Sequence, residues 1–395
     1  MSRATASLPE LETLLKLHDA AFGRTDRESR LVGALALGHP AFRDDLHVSL
    51  CSEADDEPIA AALVLPRRIE LRGAAVPVGV LAPWGVSPAH RERGNGKRIV
   101  ELAAERAHEL GLLALVTIGD PDFLGPLDFG SAFDLYTVHA TTERLPQEGS
   151  NDEWRGLVGH DLPQLAELFA SAHSGVSGTE LRDACVPDWE AHAAESYALV
   201  HAPAGRVEAY VRFRVREELE ISECAAANAQ GVEACLRLFA RLAREHCRLS
   251  LLVHAAPTQP VALALAARGC VQERSRFDGA AQLRVLDWPE IFNATASWWR
   301  PLLGDASLGL EIDGRCLQLD AAEARFVDTA PPDCVAVPAG WSPGLLTGQR
   351  TAREWRYAAG QPIELSAAAD RALDALFDGA PARWSYAPVY ELADE

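Results

Sequence analysis

Lysine is almost missing from this chain of 395 residues: Lys16 and Lys97 are its only two, so nearly all its positive charge is arginine. That bias carries no mechanism of its own. Positive charge as a whole is outweighed, with a formal net charge of −20, and this argues against a non-specific nucleic-acid binder. An acidic surface keeps a protein soluble, and it would also suit a cationic small molecule such as a polyamine or aminoglycoside. No uninterrupted run of about 18 apolar residues occurs, so no membrane span is expected. Met1 to Glu10 has no apolar run either, so no signal peptide is visible and a cytoplasmic location is the expectation. The eight cysteines include no C-x-x-C pair and no Cys/His group at zinc spacing. They imply no metal site and read as reduced structural thiols.

Hydrophobic residues make up 48% of the chain, enough for a folded globular protein, and the length suggests two or three domains. The first part reads helix (Leu8–Phe22), strands (His47–Cys51, Ile59–Leu65, Ile69–Leu71, Val76–Val86), helix (Lys97–Leu110) and buried strand (Leu112–Ile118). Thr141–Asp152 is polar and reads as a linker. From Trp154 to Pro289 a similar order returns, with strands Tyr197–His201 and Val207–Val215, helix Val232–His246, strand Leu249–His254 and helix Val261–Arg268. This looks like a degenerate internal duplication. The last hundred residues differ: Asp313-Gly314 marks a two-residue hairpin between Leu308–Ile312 and Arg315–Leu319 in a small α+β unit.

One segment stands out. Strand Val78–Val86 leads through Ser87-Pro88-Ala89-His90 into Arg91-Glu92-Arg93-Gly94-Asn95-Gly96 and the next helix. Small residues at 94 and 96 let the backbone approach an anion, and amides at a helix start can cradle it. Arg91, Arg93, Lys97 and Arg98 concentrate positive charge there in an otherwise acidic chain. A Walker A loop would need glycine at Arg91 and Ser or Thr at Arg98. A dinucleotide fingerprint starting at Gly94 would need a small residue at Ile99. The pattern left is R-x-x-G-x-G between strand and helix, which alone is equally open to a purely structural turn.

Together with Gly119-Asp120 and Phe129-Gly130 further on, the segment resembles the core of the GNAT N-acetyltransferases, most of all their Eis-type branch. The resemblance is concentrated in residues 78–130. It implies a mixed α/β protein: a catalytic GNAT domain (1–148), a degenerate GNAT-like domain (149–290) and a small sterol-carrier-like α+β domain (291–395). It implies acetyl-CoA as cosubstrate and a small-molecule primary amine as acceptor, with self-association left open. Carried over by position, Trp84, Gly85 and Val86 would pair with the pantetheine arm. Arg91, Glu92, Arg93, Gly94, Asn95, Gly96 and Lys97 would surround the pyrophosphate, and Gly119 and Asp120 would border the thioester. The terminal carboxylate of Glu395 is the expected base, with Asp120 and His90 as alternatives and an idle acidic tail as the competing reading.

The chain departs from the family at one position. Leu124 stands where a tyrosine acid is usual, which opens a second reading: a weak or inactive protein that binds coenzyme A as a sensor or assembly module. The second α/β segment has Ala225-Ala226-Ala227-Asn228-Ala229-Gln230-Gly231 at the place of the loop and is expected not to bind coenzyme A.

Overall fold

A computed structural model describes residues 2–4, 11–23, 29, 32–33, 42–54, 56–146, 154–182, 197–276, 281–359 and 364–385. In the first part, β1 (Ser2–Ala4) and α1 (Leu11–Phe22) precede β2 (His47–Ser52), β3 (Pro58–Leu71) and β4 (Ala74–Val86). Then come α2 (Asn95–Glu109), β5 (Ala114–Thr117), α3 (Pro121–Leu124), β6 (Gly130–Ser131) and β7 (Leu135–Thr141). β3 is one strand where the sequence suggested two. Pro66 lies beyond the last residue paired with β2, Leu63, so β3 has a free flank there and tolerates proline. α2 follows its periodicity. Ile99, Val100, Ala103 and Ala107 pack on Leu50, Ala60, Ala62, Val64 and Leu115, and Gly111 ends the helix at φ +72°.

The second part comprises β8 (Trp154–Gly156), α4 (Leu162–Ala172), β9 (Ser177–Thr179), β10 (Tyr197–His201), β11 (Ala209–Val215) and β12 (Leu219–Ala226). It continues with α5 (Ala229–Glu245), β13 (Ser250–His254), α6 (Pro260–Ala267), β14 (Val271–Ser275) and β15 (Gln282–Val285). The third part opens with α7 (Trp288–Ala294) and α8 (Ala296–Leu303). The hairpin β16 (Leu308–Ile312) and β17 (Arg315–Leu319) turns at Asp313-Gly314, both at positive φ, as that dipeptide predicts. β18 (Ala324–Val327), β19 (Cys334–Ala336), α9 (Ser342–Thr347), α10 (Ala352–Ala359), α11 (Ala367–Leu376) and β20 (Ala382–Ser385) complete it.

The sheets do not respect the linear boundaries near 148 and 290. The first runs β1-β2-β3-β4-β5-β15-β6 and the second β14-β7-β13-β12-β11-β10-β8. Each half therefore lends a strand to the other. β7 pairs antiparallel with β13 and β14, while β15 pairs antiparallel with β5 and β6. Near the chain end, β20 returns to lie parallel to β9.

The core follows the alternation of β5. Leu115 faces α2, whereas Ala114 and Val116 face a second apolar mass shared with Trp299, Leu310, Trp355, Leu373 and Phe377 of the third part. The third part thus covers the face of the first sheet opposite α2, and its buried apolar residues belong to this core. Where β9, α4 and β12 meet, His173 is fully buried. Its Nδ1 lies 2.9 Å from the Phe169 carbonyl and its Nε2 2.7 Å from the Gln259 amide nitrogen. A carbonyl on one side and an amide donor on the other fit the neutral imidazole.

Burial, with the charge of Arg383 adding to it, pushes His173 down to about 3 from an ordinary 6.5. The folded value lies below the unfolded one, so the unfolded chain binds the extra proton between these limits. The stabilisation is complete above about pH 6.5 and falls as the pH drops, by about 2 kcal/mol at pH 5. The urea midpoint should therefore fall between pH 7 and 5, and His173→Gln should shrink that difference. An unchanged pH dependence in the variant would refute the assignment. The strand exchange makes a second prediction. Residues 1–148 expressed alone lack β15 and should show no cooperative unfolding transition by circular dichroism, unlike the whole chain.

Candidate functional site

The first sheet opens between β4 and β5. Their parallel ladder covers only Val78–Val80 against Ala114–Val116. Beyond it, the Thr117 hydroxyl donates to the Leu81 carbonyl at 2.9 Å, and β4 runs on to Val86 without β5 beside it. β4 also shifts register against β3 between Leu81 and Trp84, where the Ala82–Pro83 bond is cis. The result is a slot with Trp84–Val86 on one side and residues 118–120 on the other. The Gln282 side-chain amide of β15 donates to the Gly119 carbonyl at 2.8 Å and fixes that far wall.

At the mouth of the slot the loop turns into α2. Glu92 (φ +59°) and Gly94 (φ +79°) are both left-handed, which folds successive amides toward a concave surface. Asn95 is buried, and its side-chain amide donates to the His90 carbonyl at 2.9 Å, closing the turn. The Arg98 amide is the first to reach a carbonyl of the helix start, Gly94 at 3.1 Å. Ahead of it lie the amides that a helix N-terminus leaves for an anion. Arg93 and Lys97 are exposed beside them, and Lys97 stands 3.9 Å from Glu101.

Individual residues of the loop and slot also have structural contacts. The Arg91 guanidinium donates to the carbonyls of Val86 (3.2 Å) and Ala21, so its side chain ties the loop to the end of α1. A cation at a helix C-terminus is stabilising. Gly85 is small because α1 lies on it: a Cβ there would come 2.7 Å from that of Ala21. Asp120 caps α3, accepting the Asp122 amide at 2.9 Å, as a structural carboxylate does. Leu124 points into the core with Ile99, Val100, Leu115 and Phe129. Glu395 lies outside the described residues. The sequence reading missed Thr117 and Gln282, which brace the slot, and Phe123, whose ring centroid is 5.6 Å from that of Trp84.

The second sheet repeats the splay but not the cradle. β12 and β13 pair only at Glu220–Leu252 and Ile221–Val253. At the start of α5 the Asn228 side chain takes the Gly231 amide at 2.8 Å, and Ala227 donates to the Glu208 carbonyl at 2.8 Å. A Cβ on Gly231 would lie 2.5 Å from that same carbonyl oxygen. These amides are already satisfied and the backbone is closely covered. On the splayed half of β12, Glu223 is held by Arg182 at 2.7 and 2.9 Å and by the Tyr210 hydroxyl at 2.8 Å. Burial opposes its charge, but Arg182, with Arg212 and His173 adding to it, brings Glu223 down to about 2.

Residues 4–131 match the family model of the acetyltransferase (GNAT) domain. No curated protein matches the chain. Among solved structures, a GCN5-related N-acetyltransferase from Anabaena variabilis is similar over 98% of this chain and 100% of its own, at 15% identity and a TM-score of 0.74. A GCN5-related N-acetyltransferase from Kribbella flavida covers 98% of both chains at 20% identity and TM-score 0.73. Eis1 from Mycobacterium abscessus covers 98% of this chain and 99% of its own at 16% identity and TM-score 0.63. At these identities the structures establish a shared fold over the whole chain. The described helices include none long and apolar enough to cross a membrane.

The loop geometry makes one prediction here. Gly94→Ala places a Cβ at φ +79° with open space around it, so the strain is local, roughly 1 kcal/mol. Calorimetric titration with coenzyme A should show weaker binding, by about fivefold to tenfold if that strain is relieved by loop distortion, with little change in melting temperature.

Proposed function

We propose that the protein acetylates a primary amine of a small, cationic acceptor with acetyl-CoA as donor, a reading supported by the match of residues 4–131 to the acetyltransferase (GNAT) domain. The observation that carries this reading is the cradle at Glu92–Lys97 set against the open slot between β4 and β5. Amides and the charges of Arg93 and Lys97 take the pyrophosphate, and the edge Trp84–Val86 takes the pantetheine arm. The amine attacks the acetyl carbonyl directly. Backbone amides near Val86 bear the charge that develops on the acetyl oxygen, and alignment of amine and thioester supplies the rest. The net charge of −20 favours a cationic acceptor by drawing it in.

The base in this reading is the Glu395 carboxylate, with Asp120 the lesser candidate because it already caps α3. Reach supports Glu395. Ser385 pairs with Thr179, and its neighbour Glu180 bridges to Ile69 on β3. From Ile69 to Ala62, which pairs with Trp84, is about 23 Å along the strand. Ten extended residues after Ser385 span up to about 35 Å.

Leu124, in the core where the family has a tyrosine, favours a second reading: a protein that binds coenzyme A without turnover. Thiol release from acetyl-CoA, assayed against polyamines, aminoglycosides and other small amines, decides between them. Turnover with a cationic amine is the expected result. Coenzyme A binding without thiol release would select the second reading, and no binding of coenzyme A would overturn both.

A further inference from the structure

Phe123 is 47% exposed, an unfavourable place for a large apolar ring unless something else covers it. Its position is well defined. It sits on the single turn α3, capped at one end by Asp120 and anchored at the other by fully buried Leu124. Trp84 is on β4 and Phe123 follows β5, so a ring separation of 5.6 Å bridges the mouth of the slot from one wall to the other. The Phe123 Cζ would be only 3.2 Å from a Cβ placed on Gly96, the second residue of α2. Gly96 therefore makes room for this ring, and the ring lies directly beside the anion cradle.

We propose that Phe123 and Trp84 form an aromatic clamp on the pantetheine arm of the donor, which packs along the exposed edge of the touching pair and not between the rings, with Phe123 as a positioning residue. This rests on the function proposed above. A chain leaving the cradle for the slot has to pass the two rings. Pantetheine consists of amide planes and methylene groups, which pack on aromatic faces and cover them from water. The clamp would thus hold the arm in register for attack while the cradle holds the phosphates. It would also make affinity for the whole donor depend on a part of the molecule that carries no charge.

The test uses two probes on the full-length protein: coenzyme A, and adenosine 3′,5′-bisphosphate, which lacks the arm. Phe123→Ala should weaken coenzyme A by about tenfold, equivalent to about 1.4 kcal/mol, and leave the bisphosphate within about twofold of the wild type. Phe123→Tyr should restore coenzyme A binding. In the thiol-release assay, the KM for acetyl-CoA should rise in Phe123→Ala more than the KM for the amine. Coenzyme A affinity unchanged in Phe123→Ala would overturn the clamp, as would equal weakening of both probes, which would mean a damaged cradle. If the wild type bound neither probe, the donor reading itself would fall and the clamp with it.

Discussion

Gln282 reaches the Gly119 carbonyl only because β15 crosses into the first sheet. Without that strand, β5 would have no neighbour beyond β4, and the chain after Thr117 would lose the contact that holds it away from β4. The reciprocal loan of β7 to the second sheet makes the arrangement mutual: neither sheet is complete without a strand from the other half of the sequence. Hydrogen-bonded strands left without a partner carry unsatisfied backbone groups, so the exchange binds the halves more firmly than side-chain packing alone would. The slot is therefore a product of the whole chain, although the loop at its mouth is local.

The two halves provide a comparison within one molecule. Both have a splayed parallel pair followed by a helix, yet the starts of those helices are resolved in opposite ways. At α2, Gly94 takes a left-handed conformation, Asn95 turns its side chain back to the His90 carbonyl, and no side chain of the N-cap residue caps the helix. At α5, Asn228 satisfies the Gly231 amide itself, and the Glu208 carbonyl covers the glycine. An unsatisfied helix start invites an anion, whereas a capped one does not. A few residues thus set the two helix starts apart on the same scaffold.

How much of this could be read beforehand depends on how local the cause is. The periodicity of Ile99, Val100, Ala103 and Ala107 announced α2, Asp313-Gly314 announced its hairpin, and the glycines announced the loop. The exchanged strands were not legible. Leu135–Thr141 and Gln282–Val285 are short, and their partners lie more than a hundred residues away, so nothing near them in sequence marks the sheet they join. The contacts of Arg91 were hidden for a related reason. Its charge suits a phosphate, but the Ala21 carbonyl it binds is brought close only by the packing of α1. Phe123 appeared as one more apolar residue before a glycine, and its exposure is a property of α3 rather than of the sequence pattern.

In the proposed reaction, Leu124 bears on both the binding and the chemical step. A thiolate whose acid has a pKa near 8.5 is a tolerable leaving group at neutral pH, and an acid to protonate it would contribute about 10²–10⁴-fold. Leucine at this position therefore bears on rate and leaves the cradle untouched. It also has a positive effect. Packed with Ile99, Val100, Leu115 and Phe129, it anchors α3 from below, and that anchoring directs its neighbour Phe123 across the slot. A tyrosine hydroxyl in the same apolar pocket would need a hydrogen-bond partner or would have to turn out of it, and in turning it would carry α3 and Phe123 along. The leucine that stands at position 124 is thus also the side chain that steadies the Phe123 ring.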